Sequence, residues 1–245
     1  MFLLASAAVV EERQAEHEQL FHKACQAYLA RHSSELVVLL RKMAQQSGLR
    51  CLELLMLIGG YKDLVREKKR CVQDEELEEA ERQRSAEEMQ ELCHEPHLPA
   101  QALPRLLHEG TGLLRKARLH LLLLSRGDFW CYLAELESGE EQAKFITAAR
   151  EAYASATSLL QSLHPAHPSR LSVAISRALL LANHLQDTEA ACRLSRKTLT
   201  SASLHLPTLQ DQVDEDEYEH TLVYMDELRS LLAVSSQLQF DENSK

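Results

Sequence analysis

The chain has 245 residues, of which 45% are hydrophobic and 26% charged, and its formal net charge is −10. This length and apolar content suffice to bury the core of one domain or of two small ones. The acidic balance argues against binding along a nucleic-acid backbone. Apolar runs such as LELLMLIGG and LHLLLLS are too short to span a membrane.

Good helix formers fill most of the chain. Leu, Ala, Glu, Gln and Arg dominate, and neither an alternating strand pattern nor an Asn-Gly hairpin signal stands out. The sequence therefore predicts an all-α fold of eight or nine helices in an antiparallel bundle or array. The predicted helices lie at about 11–31, 33–46, 49–73, 74–94, 104–137, 139–163, 167–184, 187–204 and 213–235.

The amino terminus, MFLLASAAVV, has the apolar character of a signal peptide but lacks its basic first segment. The segment EERQAEHEQL that follows is predicted as helix. We therefore expect an N-terminal packing segment, with secretion as the alternative.

Turn chemistry marks several helix boundaries. In RHSSEL, Ser33 or Ser34 can cap the second helix, and in DTEAACRL Asp187 is the expected N-cap. The segment HPAHPSRL indicates a stop, a rigid turn and a restart. Residues 74–91 carry charge on nearly every face, which is typical of a helix that faces solvent or a partner. The prolines that interrupt helix formation after it are Pro96, Pro99 and Pro104.

The cysteines and histidines show no recognisable site pattern. Six cysteines are scattered without a Cys-x-x-Cys pair, which favours thiols in a reducing, cytoplasmic compartment over a disulfide scaffold. The histidines of CHEPH (93–97) and HPAHP (164–168) lack the spacing of a zinc site. We therefore expect no metal and no cofactor.

The segment YKDLVREKKR, residues 61–70, is the strongest local concentration of positive charge. On a helix, Lys62, Arg66 and Lys69 lie on one stripe, at i, i+4 and i+7. This basic stripe can bind an anionic group. Alternatively, it is a solvated face whose lysines pair with Glu67 or with the acidic helix that follows.

Four motifs between Gly127 and about Leu204 resemble the 14-3-3 family. In chain order they are GDFWCYLAELESGEE, AREAYASATSLL, HPAHPSRLSVAIS and DTEAACRLSRKTL, and YKDLVREKK lies where the family has a Tyr-Lys-x-x-Val-x-x-Arg-Arg segment. The resemblance implies a nine-helix, all-α protomer that dimerises through its N-terminal helices. It also implies a non-enzymatic adaptor with an amphipathic groove for phosphoserine or phosphothreonine peptides.

Carried over residue by residue, the resemblance implies an altered phosphate site. Lys62 matches the groove lysine, Lys69 replaces the first phosphate arginine and keeps its charge, and Tyr132 matches the phosphate-binding tyrosine. Cys131 stands where the second phosphate arginine is expected. A thiol lacks the charge and the bidentate donors of a guanidinium, and Lys69 lacks the bidentate fork. We expect the two changes together to reduce phosphate affinity by about two to three orders of magnitude.

Two arginines are candidates to replace the missing charge, with ordinary surface charge as the alternative for both. Arg66 lies on the basic stripe, and Arg177 follows Ser176. Ser176 itself stands where the family has its first backbone-holding Asn. The second such Asn falls near Ser230 or Leu231 and is lost in either register.

Apolar residues at helical spacing match the hydrophobic side of the family's groove, with core packing as the alternative. They are Ile175, Leu179, Leu222 and Val223. Asp226 and Glu227 fall where the family is apolar, and two acids there would repel phosphate. Asp128 and Glu135 match acids that brace the cationic cluster in the family.

The predicted organisation is a single 14-3-3-like domain over 1–240. Within it, 11–94 holds the dimerisation and basic-face helices, 104–235 holds the groove helices, and 236–245 is a short polar tail. Arg31 matches an interface arginine of the family, whereas the acid expected three residues later is Ser34. We expect a homodimer or a heterodimer.

Three functions remain open at this point. The first is an adaptor that binds phosphorylated segments of partner proteins. The second is a degenerate 14-3-3-fold protein that acts through dimerisation or phosphate-independent peptide binding. The third is an enzyme that uses Cys131 or a histidine cluster, but no motif supplies a catalytic partner for the thiol, so we expect no enzymatic activity.

Overall fold

The computed structural model describes the backbone of residues 2–46, 49, 51–94 and 112–242, and the side chains of 13–46, 49, 52–93 and 119–233. These residues form nine α-helices and no strand, as the sequence predicts. The helices are α1 (Phe2–Leu29), α2 (Ser33–Gln46), α3 (Cys51–Gln73), α4 (Glu79–His94), α5 (Gly112–Leu136), α6 (Gly139–Leu159), α7 (Pro168–Leu179), α8 (Thr188–Leu209) and α9 (Glu215–Glu242). A π-helical turn, Leu180–His184, continues α7.

Several predicted boundaries differ from the observed ones. The first helix begins at Phe2 rather than at 11, and the last one continues to Glu242, beyond the predicted boundary at 235. Helix α8 runs to Leu209 through Pro207 instead of ending at 204. Residues 104–111 of the predicted fifth helix, and the prolines before it, lie outside the described residues.

The acidic segment after α3 is a turn where the charge pattern predicts helix. The side chain of Asp74 accepts a hydrogen bond of 3.0 Å from the backbone N–H of Glu76, so α4 begins only at Glu79. Local side-chain acceptors of this kind compete with the helical hydrogen bonds. The prediction of a helix over 74–78 is therefore wrong.

Two compact units make up the chain, residues 1–104 and 105–245. In the first unit, α2 packs between α1 and α3, and α3 packs on α4. Its most deeply buried side chains include Leu40, Met43, Tyr61 and Met89. Across this core, the buried His17 of α1 is hydrogen-bonded to the buried Glu53 of α3 at 2.8 Å.

The second unit has two clusters of buried residues. In one, Leu124 of α5, Tyr153 of α6 and Val173 of α7 pack together. In the other, Ile175 of α7 packs with Ala202 of α8 and with α9, whose Met225 and Leu228 are buried. Helix α7 therefore contributes one face to each cluster.

Helix ends follow the local chemistry of the sequence. Asp187 caps α8 as predicted, accepting a hydrogen bond of 2.8 Å from the backbone N–H of Ala190. The predicted capping of α2 by Ser33 or Ser34 is wrong, because Ser33 is already the first residue of the helix and the His32 carbonyl accepts from the N–H of Leu36. The Ser33 hydroxyl instead donates to Asp63 of α3 at 3.4 Å. None of the described helices is long and apolar enough to cross a membrane.

Candidate functional site

The basic stripe lies on α3 in the first unit. Tyr61 and Val65, which lie on the side of the helix next to the stripe, are buried in the core of that unit. Lys62 and Lys69 are half-buried, and Arg66 is exposed.

Arg66 does not present an uncompensated charge. Its Nη1 donates to Asp63 Oδ1 at 2.9 Å, one turn back on the same helix. The neighbouring Lys68 pairs with Glu88 of α4 at 2.5 Å, and this hydrogen bond raises the pKa of Lys68 against the opposing effect of burial. The sequence analysis gave pairing with the acidic helix as the alternative role of the stripe. Such a pair is observed for Lys68, which lies next to the stripe.

Cys131, which the resemblance aligns with a phosphate-binding arginine, faces another helix of the second unit. Cys131 Sγ lies 3.5 Å from the hydroxyl oxygen of Tyr153, and the thiol is half-buried against the cluster that contains Tyr153. The Tyr153 hydroxyl donates to Asp128 Oδ1 at 2.7 Å. Burial and the adjacent Asp128 carboxylate raise the pKa of Tyr153 strongly, so the phenol stays protonated and remains a donor.

A glycine permits this contact between α5 and α6. A Cβ atom at Gly127 would lie 2.3 Å from a ring carbon of Tyr153, so only glycine lets the ring approach this closely. Aromatic contacts orient the residues of α5 on either side of Cys131. Trp130 stacks on Phe145 at a centroid distance of 5.5 Å, and Tyr132 meets Phe129 edge-on at 6.3 Å.

On α7, the predicted ligand-holding residues differ in exposure. Ser176 is half-buried. Arg177 Nη1 donates to Thr157 Oγ1 of α6 at 3.3 Å, which ties its guanidinium to the neighbouring helix. Ile175 is only 5% exposed and packs in the core, whereas Leu179 is half-buried beside the same cluster. Core packing therefore accounts for Ile175, and Leu179 offers more surface for a ligand.

On α9, the apolar residues expected at the groove are exposed. Leu222 is 40% exposed and Val223 is 60% exposed, while Thr221 is fully buried. The acids after them are exposed as well, and Asp226 forms an ion pair with Arg229. The Ser230 hydroxyl donates to the Asp226 carbonyl at 3.0 Å.

Two contributors escaped the sequence analysis. Tyr153 lies within AREAYASATSLL, but the motif carries no signal that its hydroxyl meets Asp128 and Cys131 on another helix. His184 of the π-helical turn lies with Nε2 3.9 Å from Glu135 Oε1, and no local pattern indicates that pairing. Among the described side chains, no three of His, Cys, Asp and Glu gather as a metal ion requires.

The chain is similar to known 14-3-3 proteins. A 14-3-3 protein from Giardia intestinalis is 31% identical over 153 residues, which are 62% of this chain and 57% of the relative. For 14-3-3 protein homolog 2 from Schistosoma mansoni the identity is 28% over 154 residues, 62% of this chain and 68% of the relative. For human 14-3-3 protein eta it is 31% over 123 residues, 50% of this chain and 48% of the relative.

The matched regions thus span from about half to two thirds of these relatives. A family model described as 14-3-3 protein matches residues 23–234, which include the basic stripe, Cys131 and most of α9. With its all-α architecture, the chain belongs to the 14-3-3 protein family.

Proposed function

We propose that this chain is a non-enzymatic adaptor that binds phosphoserine- or phosphothreonine-containing segments of partner proteins. The observation that carries the proposal is the basic stripe of α3. By the resemblance, its two lysines, Lys62 and Lys69, match the family's phosphate-binding positions, and the adjacent side of the helix is held in the core through Tyr61 and Val65. In the second unit, taken by itself, Tyr132 matches the family's phosphate-binding tyrosine, and Leu222 and Val223 are exposed apolar residues.

A second candidate is phosphate-independent binding of a peptide by the same fold. Three contacts favour it. The thiol of Cys131 meets Tyr153, the guanidinium of Arg66 pairs with Asp63, and that of Arg177 is tied to Thr157. The contacts of Arg66 and Arg177 occupy the two guanidinium groups that are candidates to replace the missing charge, and the thiol of Cys131 carries no such charge.

Fluorescence polarisation with a mixed phosphoserine and phosphothreonine peptide set, and with the unphosphorylated twins, separates the two candidates. The adaptor proposal expects the wild type to bind at least one phosphopeptide about tenfold more tightly than its twin. Lys62→Glu should abolish that preference. Lys144→Glu, which removes an exposed lysine of α6 that pairs with Glu141, is the control and should leave the preference intact.

Cys131→Arg shows whether the lost guanidinium limits affinity, and Cys131→Ser is its uncharged, size-matched control. A thermal melt of each variant first establishes that it folds. Phosphopeptide binding by Cys131→Arg alone would reject the first candidate and support the second. Absence of a phosphate preference in both proteins, with Lys62→Glu without effect, would reject phosphate binding through the basic stripe.

We also propose that the chain forms a homodimer or heterodimer in the cytoplasm through its N-terminal helices. The end of α1 supports this proposal, because Leu29 is 81% exposed and Tyr28 is 54% exposed. They line a surface depression of about 360 Å³ together with Arg31 and Asp63. Exposed apolar residues beside charged ones are typical of interaction surfaces.

Light scattering at micromolar concentration tests dimerisation. Leu29→Glu should shift the mass from dimer to monomer, because it places a carboxylate in the apolar contact. The control Leu204→Glu changes a leucine of α8 that is 74% exposed and should leave the mass unchanged. A monomeric wild type, alone and mixed with other 14-3-3 proteins, would contradict the proposal.

A further inference from the structure

The joint between α6 and α7 is built on two histidines that accept hydrogen bonds from the backbone. The N–H of Ala166 donates to His164 Nδ1 at 3.3 Å, and the N–H of Ser169 donates to His167 Nδ1 at 3.2 Å. Each imidazole bonds to the N–H two residues ahead, as Asn and Asp do in Asx-turns. An Nδ1 that accepts a hydrogen bond carries no hydrogen, so both contacts require the neutral ring.

The second nitrogen of His164 connects the joint to α8. His164 Nε2 lies 3.0 Å from Thr208 Oγ1, and the Thr208 hydroxyl donates to the carbonyl of His205 at 2.9 Å. Since the Thr208 hydrogen is directed at that carbonyl, its oxygen accepts the hydrogen on His164 Nε2. The neutral tautomer with its hydrogen on Nε2 therefore satisfies every contact of the ring.

The surroundings of the joint disfavour added positive charge. The rings of His164 and His205 meet edge-on at a centroid distance of 6.0 Å. Arg170 of α7 donates to the Leu163 carbonyl at 2.9 Å and brings a permanent positive charge to the same joint. The carboxylate of Glu217 on α9 has the opposite effect, because it raises the pKa of His167.

The balance of these groups lowers the pKa of both histidines. Burial lowers the pKa of His164 most, followed by His205 and Arg170. Burial also dominates for His167, where Glu217 opposes it and His164 and Arg170 add to it. Burial and the hydrogen bonds thus favour the neutral rings, and for His167 they outweigh the opposing carboxylate of Glu217.

We propose that His164 and His167 form a pH-sensitive catch that fastens the start of α7 while both rings are neutral and releases it when they are protonated. Protonation at Nδ1 replaces each acceptor with a donor, which displaces the N–H groups of Ala166 and Ser169. The buried Thr221 still holds the Ala166 carbonyl from α9 at 3.1 Å, so the opening is confined to the turn and the first residues of α7. The catch operates whatever ligand the protein binds.

The sign of the pH dependence follows from the lowered pKa values. The unfolded chain takes up protons near the ordinary histidine value of about 6.5, and the folded joint takes them up only at lower pH. The stabilisation is therefore complete above about pH 6.5 and is lost as the pH falls through the lower folded values.

Thermal unfolding of the full chain at about pH 7.5 and about pH 5 tests the proposal. Asn supplies the same acceptor in an Asx-turn but does not titrate, so the variant His164→Asn/His167→Asn retains the turn and loses the switch. We expect the wild-type Tm to fall between the two pH values by about 4–8 °C more than that of the double variant. His220→Asn, at an exposed histidine of α9, should behave like wild type.

A local measurement distinguishes the catch from general acid sensitivity. On acidification, amide exchange at Ala166 and Ser169 should become less protected in the wild type and stay protected in the double variant. His205 contributes to the lowered pKa of His164, so His205→Gln should move the NMR titration midpoint of His164 to higher pH. Equal pH dependence of Tm in the wild type and the double variant, or unchanged protection of both amides on acidification, would overturn the proposal.

Discussion

The hydroxyl of Tyr153 on α6 donates a 2.7 Å hydrogen bond to Asp128 on α5, one turn before Cys131. The contact places Asp128 in a part-buried hydrogen bond on the helix that also carries Cys131. The thiol of Cys131 lies 3.5 Å from the same hydroxyl. Cys131 is thus a small, half-buried side chain in contact with the core of the second unit.

Tyr153→Phe should destabilise the protein by about 1 kcal/mol, with an upper value of about 3 kcal/mol because the acceptor is a carboxylate. Urea unfolding measures the change. The matched control is Tyr28→Phe. Because Tyr28 is 54% exposed, this substitution should change the free energy of unfolding of the protein little. Equal effects of the two substitutions would show that the Asp128 contact contributes nothing to stability.

Gly127→Ala should destabilise by about 1–3 kcal/mol, because the added methyl group would overlap the Tyr153 ring. Gly59→Ala is the opposing control within α3, where a Cβ would meet no described atom within 4 Å outside the helix backbone. It should stabilise by about 0.5–1 kcal/mol through helix propensity. Stabilisation by Gly127→Ala would mean that the ring does not lie against α5.

Arg31→Gly should stabilise the fold and weaken the proposed dimer. Arg31 has φ 57°, and the N–H of His32 donates to the Ala27 carbonyl at 2.9 Å across the end of α1. Glycine relieves that left-handed strain by about 1 kcal/mol. Gln186→Gly, at φ 51° after the π-helical turn, should stabilise equally without changing the mass measured by light scattering. An unchanged mass for Arg31→Gly would exclude a role of Arg31 in association.

Thr221→Val should destabilise by about 1–3 kcal/mol. The fully buried Thr221 hydroxyl lies 3.1 Å from the Ala166 carbonyl and 3.1 Å from the Glu217 carbonyl, so the substitution removes the donor that links α9 to the joint. Thr200→Val on the exposed face of α8 controls for helix propensity and should be close to neutral. Chemical denaturation measures the free energy of unfolding of both variants. Equal changes would show that the Thr221 hydroxyl does not stabilise the contact between α9 and the joint.

Much of the fold was predictable from local signals. The helix at 33–46 agrees with α2 at both ends, and Asp187 caps α8, because an N-cap depends on residues only three positions apart. The boundary at 74 was not predictable from charge pattern alone. There the Asp74 side chain offers the backbone an acceptor that competes with the helix.

The sequence proposes which residues belong to the candidate site but not which side chains they contact. Its residue types follow from the family resemblance, and the stripe of Lys62, Arg66 and Lys69 follows from helical spacing. The burial of Ile175 and the link from Arg177 to Thr157 depend on which face of α7 meets its neighbours. Periodicity leaves that choice open whenever a helix packs on both sides, as α7 does.

By itself, the sequence determined the all-α class, most helix boundaries and the basic stripe, because each depends on residue identity and on spacing within one helix. Only the tertiary structure decided what surrounds the thiol. Cys131 and Tyr153 are 22 positions apart on different helices, and a contact between helices depends on packing and on the close approach at Gly127. No local pattern along the chain encodes that approach, because side-chain direction is set by both helices together.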